Sequence, residues 1–231
     1  MYKSSSKTSK MVKSKTKSTT ASNAASAFIK SEITMMVGIS AIASPSSMLP
    51  APFLLLLSPF FEKIEGQMKG KLANGITTIC PASMTFSEEQ LTEIFANAAK
   101  YQNDKGSTLV GINMEGPFIS MEKKGAQNGE YIHKPDAEMF GRLQKAANGL
   151  IKLCDIAPEV EGAMECIEAI ADDVRVSLAH TAADFDVAEE AFRKGAKHVT
   201  HLYNAMPPYS HRAPGVIGAA CDNEQVMVEL I

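Results

Sequence analysis

The chain has 231 residues, of which 45% are hydrophobic and 21% are charged, and its formal net charge is −3. This composition is typical of a globular protein with one moderate domain or two small ones, and the acidic balance disfavours nucleic acid as the main partner. Four cysteines without a CxxC pair disfavour a disulfide framework and favour reduced thiols in the cytoplasm.

The beginning of the chain differs in composition from the rest. Residues 1–31 contain seven lysines and no acidic residue, which leaves 16 basic and 26 acidic residues for the remainder. We expect residues 1–47 to form a disordered or atypical segment rich in Lys, Ser and Thr. Residues 48–70 begin with an apolar run that contains three prolines and is shorter than the roughly 20 residues of a membrane span. The role of this segment stays open, and we expect no membrane association.

From residue 71 onwards, short apolar runs alternate with helical patterns. The runs predict strands at 75–80, 107–115, 151–159, 174–181, 196–204 and 225–231. The patterns predict helices at 87–101, 136–147, 161–173 and 184–195. Ser87 and Gln90 form a capping-box pattern, and Asp184 is placed to cap the last of these helices. Repeated βα units predict a parallel sheet, and both a doubly wound sheet and a (β/α)8 barrel fit the pattern.

Three of the predicted strands end in a residue that can bind a metal ion. These residues are Glu115, His180 and His201. The carboxyl ends of the strands of a barrel surround one mouth, where active sites are built, so that the three side chains would converge there. One carboxylate and two imidazoles with an open fourth position are typical of a catalytic site for zinc or a similar divalent ion. We expect His198, by contrast, to face the helices or the solvent.

Three sequence words together resemble the N-acetylglucosamine-6-phosphate deacetylases of the amidohydrolase superfamily. They are "GINMEGPFISMEKKGAQ" (111–127), "LAHTAA" (178–183) and "THLYNAMPPYSHRAPGVIGAA" (200–220). The resemblance implies a metal-dependent (β/α)8 TIM barrel with a small β-sandwich. For this chain we expect a partial barrel of about six βα units over residues 71–231 and little of the sandwich.

The resemblance also implies an activity and a set of site residues. The family removes the acetyl group from N-acetylglucosamine 6-phosphate, a small amino-sugar phosphate, to give glucosamine 6-phosphate and acetate. By motif, Glu115, His180 and His201 match the ligands of one divalent metal ion, most simply zinc, with iron or another ion as alternatives. The residues that match substrate contacts are Ala126, Gln127, Asn204, Ala205 and Arg212. A homodimer is the assembly that the family implies.

Two other interpretations follow from where the chain departs from the family. The family's general-base aspartate would follow Ile231, and residues 1–70 do not resemble the family's first barrel strand. The chain could therefore be an inactive or weakly active fragment that at most binds metal or sugar phosphate. An amidohydrolase acting on cyclic amides is the other alternative, although the chain lacks the first-strand His pair that is typical of those enzymes.

Overall fold

The structure is a computed structural model that describes residues 68–104 and 106–231. The predicted segment 1–47 and most of the segment 48–70 lie outside the described residues, and residues 68–73 are helical. Within the described ranges, no helix is long and apolar enough to cross a membrane. All four cysteines are present as free thiols.

Strands and helices alternate along the chain, as the apolar pattern predicts. The strands are β1 (Thr78–Ile79), β2 (Thr108–Leu109), β3 (Ile112–Met114), β4 (Ile151–Ile156), β5 (Arg175–Leu178), β6 (His198–Val199) and β7 (Met227–Val228). The helices are α1 (Glu88–Ala98), α2 (Ala137–Ala146), α3 (Ala163–Ile170), α4 (Phe185–Arg193) and α5 (Gly215–Cys221), with a 3-10 helix at Gly129–Tyr131. The prediction of one strand over 107–115 was wrong, because two short strands, β2 and β3, occupy this range. Helix α5 was not predicted.

The strands are parallel, and their order in space follows their order in the sequence. In the described residues, β1 pairs with β2, and β3 to β7 form a five-stranded sheet in the order β3-β4-β5-β6-β7. A parallel bridge between Ala82, just after β1, and Asn113 in β3 links the two groups of strands. The order shows none of the reversal that defines a doubly wound sheet. The fold is therefore α/β with sequentially ordered parallel strands.

The two faces of the five-stranded sheet differ in polarity. Alternate residues point to opposite faces of a strand. One face carries apolar side chains that belong to the same buried cluster as the helices; they are Met114, Cys154, Ile156, Val176, Leu178 and Val199. The opposite face carries buried polar side chains at the alternate positions; they are Asn113, Asp155, Ser177, His198 and Thr200. This polar face leads to the ends of the strands, where the candidate site lies.

Side chains cap the helices that cover the apolar face. The capping box of α1 is present, because the Ser87 side chain accepts from the backbone N–H of Gln90 and the Gln90 side chain accepts from that of Ser87. Asp184 caps α4 by accepting from the N–H of Val187. Both caps were predicted from the sequence, and each satisfies backbone donors that the first turn of a helix leaves unpaired.

Candidate metal centre

The three predicted metal ligands lie at equivalent ends of neighbouring strands. Glu115 directly follows β3, and His180 and His201 each lie two residues beyond β5 and β6. Because Leu178 of β5 pairs with Val199 of β6, the two histidines leave the sheet at the same level. Both have left-handed backbone, with φ angles of 44° and 39°. Residues other than glycine rarely adopt this conformation, and such strain is concentrated at functional sites.

The three side chains meet. The Nε2 atom of His180 lies 3.0 Å from Oε1 of Glu115 and 3.2 Å from Nε2 of His201, whose Nε2 atom is 3.9 Å from the same carboxylate oxygen. The two imidazole rings are nearly perpendicular, with centroids 4.8 Å apart. In the described part of the chain, this is the group of His, Cys, Asp and Glu side chains whose spacing could hold a metal ion.

The donor set fits a divalent cation. Bonds of about 2.0–2.1 Å in a tetrahedral site separate two ligand atoms by roughly 3.3 Å, which lies within the range of the three distances. His180 is already oriented for this role, because its Nδ1 atom lies 2.9 Å from the backbone oxygen of Lys123. An Nδ1–H that donates to a carbonyl leaves the lone pair on Nε2 free to bind a metal. The buried Nδ1 atom of His201 has no hydrogen-bond partner within the described ranges.

The electrostatics of the two histidines differ. Burial lowers the pKa of His180, but hydrogen bonds to Glu115 and to the Lys123 carbonyl outweigh it, and the net pKa is raised. Burial and the neighbouring His180 lower the pKa of His201. Because the two Nε2 atoms face each other, the pair holds one proton more readily than two. Metal binding needs the lone pairs of both Nε2 atoms, so protons compete with a cation for this site.

The backbone after His180 is held by a carboxylate from the loop that follows the neighbouring strand β4. Glu159 accepts from Thr181 Oγ1 at 2.5 Å and from the backbone N–H of Ala182 at 2.6 Å. The carbonyl oxygen of His180 accepts from the N–H of Ser120 at 2.9 Å. Sequence reasoning missed Glu159, because it extended the strand to 159. Pro158 was the available signal that the strand ends earlier, at Ile156.

A cavity of about 190 Å³ opens onto the three predicted ligands. Four of the five predicted substrate contacts line it, namely Ala126, Gln127, Asn204 and Ala205. Arg212 does not line this cavity. It is exposed on a turn closed by the antiparallel bridge between Ser210 and Ala213, in the loop that follows Ala205. The structure thus brings four of these residues to the metal centre and leaves Arg212 outside it.

A network of buried polar groups lies beneath the cavity, and sequence reasoning missed it. The Asp155 carboxylate accepts from Thr200 Oγ1 at 2.9 Å and from the Asn113 amide at 3.3 Å. Burial, and next the nearby Glu115, raise the pKa of Asp155 well above its usual range. A charged residue in the middle of the apolar run 151–159 was the signal for this network.

The expectation that His198 faces the helices or the solvent was wrong. The side chain is buried on the polar face of the sheet, with Nδ1 2.9 Å from Ser177 Oγ and Nε2 3.7 Å from a carboxylate oxygen of Glu229. Its orientation was inferred from its spacing to His201. That inference fails because residues alternate between faces only within a strand, and His201 lies beyond the end of β6.

Comparisons with known proteins find relatives that share one name. N-acetylglucosamine-6-phosphate deacetylase from Bacillus subtilis is 38% identical over 163 residues, which are 68% of this chain and 41% of the relative. The protein of the same name from Mus musculus is 37% identical over 151 residues, 64% of this chain and 37% of its own. No protein-family model matches the chain. The chain spans about two fifths of the length of these curated relatives.

Solved structures give the same likeness. The crystal structure of N-acetyl-D-glucosamine-6-phosphate deacetylase from Mycobacterium smegmatis matches with a TM-score of 0.63 and 32% identity, over 67% of this chain and 40% of that one. The N-acetylglucosamine-6-phosphate deacetylase from Thermotoga maritima matches with a TM-score of 0.65 and 29% identity, over 74% of this chain and 47% of that one.

The parallel α/β sheet, with a carboxylate and two imidazoles grouped at its strand ends, is the kind of site that the resemblance to the amidohydrolase class implies. Within that class the likeness in sequence and in fold points to one group of relatives. Over about two thirds of its length, the chain is similar to N-acetylglucosamine-6-phosphate deacetylases.

Proposed function

We propose that this chain carries the metal-binding part of a catalytic centre that removes the acetyl group from N-acetylglucosamine 6-phosphate. The products are glucosamine 6-phosphate and acetate. The observation that carries the proposal is the meeting of Glu115, His180 and His201 at one cavity, in a chain whose matched relatives bear the deacetylase name. A mutant of the Mycobacterium smegmatis relative is described in complex with N-acetyl-D-glucosamine-6-phosphate.

The fold that we propose for residues 71–231 is a partial (β/α)8 barrel of about six βα units, with little of the family's β-sandwich. The sequential order of parallel strands supports it, because each strand of such a barrel lies beside its predecessor. The position of His180 and His201 just beyond the carboxyl ends of β5 and β6 supports it too, because the active sites of barrels are built at that end.

Glu115, His180 and His201 would together hold one divalent ion, for which zinc is our first choice and iron the second. When bound, such an ion polarises the amide carbonyl and lowers the pKa of a water molecule so that it can attack near neutral pH. The chain's own residues prepare the site. The Lys123 carbonyl orients the ring of His180, and Glu159 fixes the backbone that follows it. The cavity wall around them limits the access of bulk water.

The sugar would lie against Ala126, Gln127, Asn204 and Ala205, which line the cavity next to the metal ligands. Arg212 would reach the phosphate from its exposed turn, because a guanidinium can donate two parallel hydrogen bonds to phosphate oxygens. The four free thiols support a cytoplasmic location. A homodimer is the assembly that we propose by analogy with the family.

Acetate release from N-acetylglucosamine 6-phosphate by the zinc-loaded chain tests the proposal. We expect slow, metal-dependent release, because the chain carries the metal-binding part of the centre. This release should be lost in Glu115→Gln, a substitution that keeps the side chain's shape but removes its charge. N-acetylglucosamine without the phosphate should react much more slowly, and a cyclic amide should not be opened. Absence of acetate release from the phosphorylated sugar, or faster opening of the cyclic amide, would contradict the assignment. The deacetylase name of the matched relatives disfavours the cyclic-amide alternative.

A further inference from the structure

The side chain of Gln127 is engaged at both ends. Its Nε2 atom donates to Oε1 of Glu115 at 3.0 Å, and its Oε1 atom accepts from the backbone N–H of Thr85 at 2.7 Å. Gln127 is only 4% exposed, and Thr85 is 1% exposed. The amide therefore bridges the loop after β1 and the metal ligand that follows β3.

The partners fix the orientation of this amide. A backbone N–H can only donate, so the oxygen of the amide must face Thr85. An ionised carboxylate can only accept, so the amide NH₂ must face Glu115. Reversing the amide would break both hydrogen bonds at once. The resulting arrangement holds one carboxylate oxygen of Glu115 in a defined place.

Close packing supports the bridge on its other side. Gly116 has a φ of 85°, and a Cβ atom there would lie 2.1 Å from Thr85 Oγ1. The loop after Glu115 therefore lies directly against Thr85, and only glycine fits. Because Thr85 is packed in this way, its N–H provides a firm anchor for Gln127.

The importance of this contact increases once a cation binds. In the structure, His180 Nε2 also lies within hydrogen-bond distance of Glu115 Oε1. A metal ion that takes the lone pair of Nε2 leaves His180 with no hydrogen to donate to Glu115. Gln127 is then the donor that still fixes the carboxylate.

We propose that Gln127 is a positioning residue for the metal centre, acting on the cation through Glu115 instead of mainly through contact with the sugar. The inference rests on the metal site of the proposed function but not on its substrate. Hydrogen-bond partners of metal ligands typically change metal affinity by about 10- to 100-fold when they are removed. A residue that only contacts the sugar would leave metal affinity unchanged.

The experiment measures the affinity of the full 231-residue chain for Zn²⁺ by competition with a chelator, and the visible absorption of the Co²⁺-loaded chain. Gln127→Met keeps the length of the side chain but removes both hydrogen bonds, and we expect Zn²⁺ to bind about 10- to 100-fold more weakly, with a changed Co²⁺ spectrum. Gln127→Asn keeps the amide but is too short to reach both partners, so we expect an intermediate loss.

The matched control is Gln144→Met. Gln144 also uses both ends of its amide, on the backbone N–H and carbonyl of Ile151, but it lies in α2 and does not line the metal cavity. We expect this variant to bind Zn²⁺ like the parent chain. Circular dichroism of the metal-free proteins shows whether each variant is folded, and Gln127→Asn gives the answer if Gln127→Met does not fold.

Zn²⁺ affinities of both Gln127 variants within about twofold of the parent, or a parent chain that binds no Zn²⁺, would overturn the inference. An equal loss of affinity in Gln144→Met would also overturn it, because the effect would then be one of general stability. The outcome is separable from the deacetylase assignment. If the Gln127 variants lose Zn²⁺ affinity but the parent releases no acetate, the role of Gln127 is supported and the proposed substrate is contradicted. If the parent releases acetate but the Gln127 variants bind Zn²⁺ like the parent, the substrate is supported and the role of Gln127 is contradicted.

Discussion

The two faces of the parallel sheet are equally buried but are stabilised in different ways. On the helix-facing side, Ile156, Val176 and Leu178 pack into the same apolar cluster as α1 to α4. On the other side, Asp155 and His198 lie among hydrogen-bonding neighbours below the metal ligands. Burial of apolar area is non-directional, whereas each buried polar group needs a partner in a defined place. The first face therefore supports the fold, and the second holds the site.

The largest effect on the apolar side is expected for Phe95→Ala. Phe95 in α1 is completely buried in the cluster. Removing a buried phenylalanine ring costs about 3–5 kcal/mol of unfolding free energy, because transfer energy is lost and a cavity is left. Urea unfolding measures this loss, and Zn²⁺ bound per folded chain should not change. Loss of Zn²⁺ binding by a folded variant would show that the two faces are not separable.

On the polar side, lowering the pH should reduce the free energy of unfolding, because His198 is buried. Burial, and to a lesser degree Arg175, lower the pKa of His198 from its ordinary value of 6.5 to about 4. Between these values the unfolded chain binds more protons than the folded chain, so stability is lost as the pH falls through this window. The shift corresponds to about 3 kcal/mol between pH 7 and pH 4.

The variant His198→Asn isolates this effect. It keeps an acceptor for Ser177 but cannot take up a proton, and Glu229 remains in both proteins. We expect the parent to lose about 3 kcal/mol relative to the variant on acidification, measured by urea unfolding at a series of pH values. Parallel stability curves for the two proteins would contradict a neutral, buried His198.

A smaller effect, in the direction of greater stability, is expected for Asp155→Asn. Burial and Glu115 raise the pKa of Asp155, so the folded chain binds the extra proton and the parent loses stability as the pH rises towards that raised pKa. The amide of the variant carries no charge. Its oxygen keeps the hydrogen bond from Thr200 Oγ1, and its NH₂ donates to Asn113 Oδ1 once the Asn113 amide reverses. We expect the unfolding free energy of the variant to exceed that of the parent by about 1–2 kcal/mol at pH 8, and by less at pH 5. A variant that is less stable than the parent to urea unfolding at pH 8 would contradict this expectation.

The smallest effect should come from a helix cap on the apolar side. Asp184→Ala removes the hydrogen bond to the N–H of Val187 at the start of α4, which should cost about 1 kcal/mol at neutral pH. Thermal unfolding measures this loss. An unchanged unfolding temperature in the variant would contradict a stabilising cap at Asp184.

The sequence predicts features that depend on neighbours along the chain. The caps at Ser87 and Asp184 follow from local residue spacing, and Glu115, His180 and His201 were found because each directly follows an apolar run. Such features require only that the chain fold into parallel βα units.

Features that depend on distant contacts could not be predicted. Gln127 meets Thr85 across 42 residues, and no local pattern marks that hydrogen bond. The run 107–115 divides at Val110 and Gly111, where a Cβ on Gly111 would lie 2.3 Å from the side chain of Lys152. Helix α5 contains two glycines and has no side-chain cap, so packing and not propensity determines it.

The decisive measurement for the metal centre is the number of Zn²⁺ ions bound per chain in the parent, in His201→Ala and in His198→Asn. These histidines lie three residues apart, but only His201 faces Glu115 and His180. We expect about one Zn²⁺ in the parent and in His198→Asn, and almost none in His201→Ala. Equal binding by all three proteins, or its absence from the parent, would contradict a metal centre built from the ends of β3, β5 and β6.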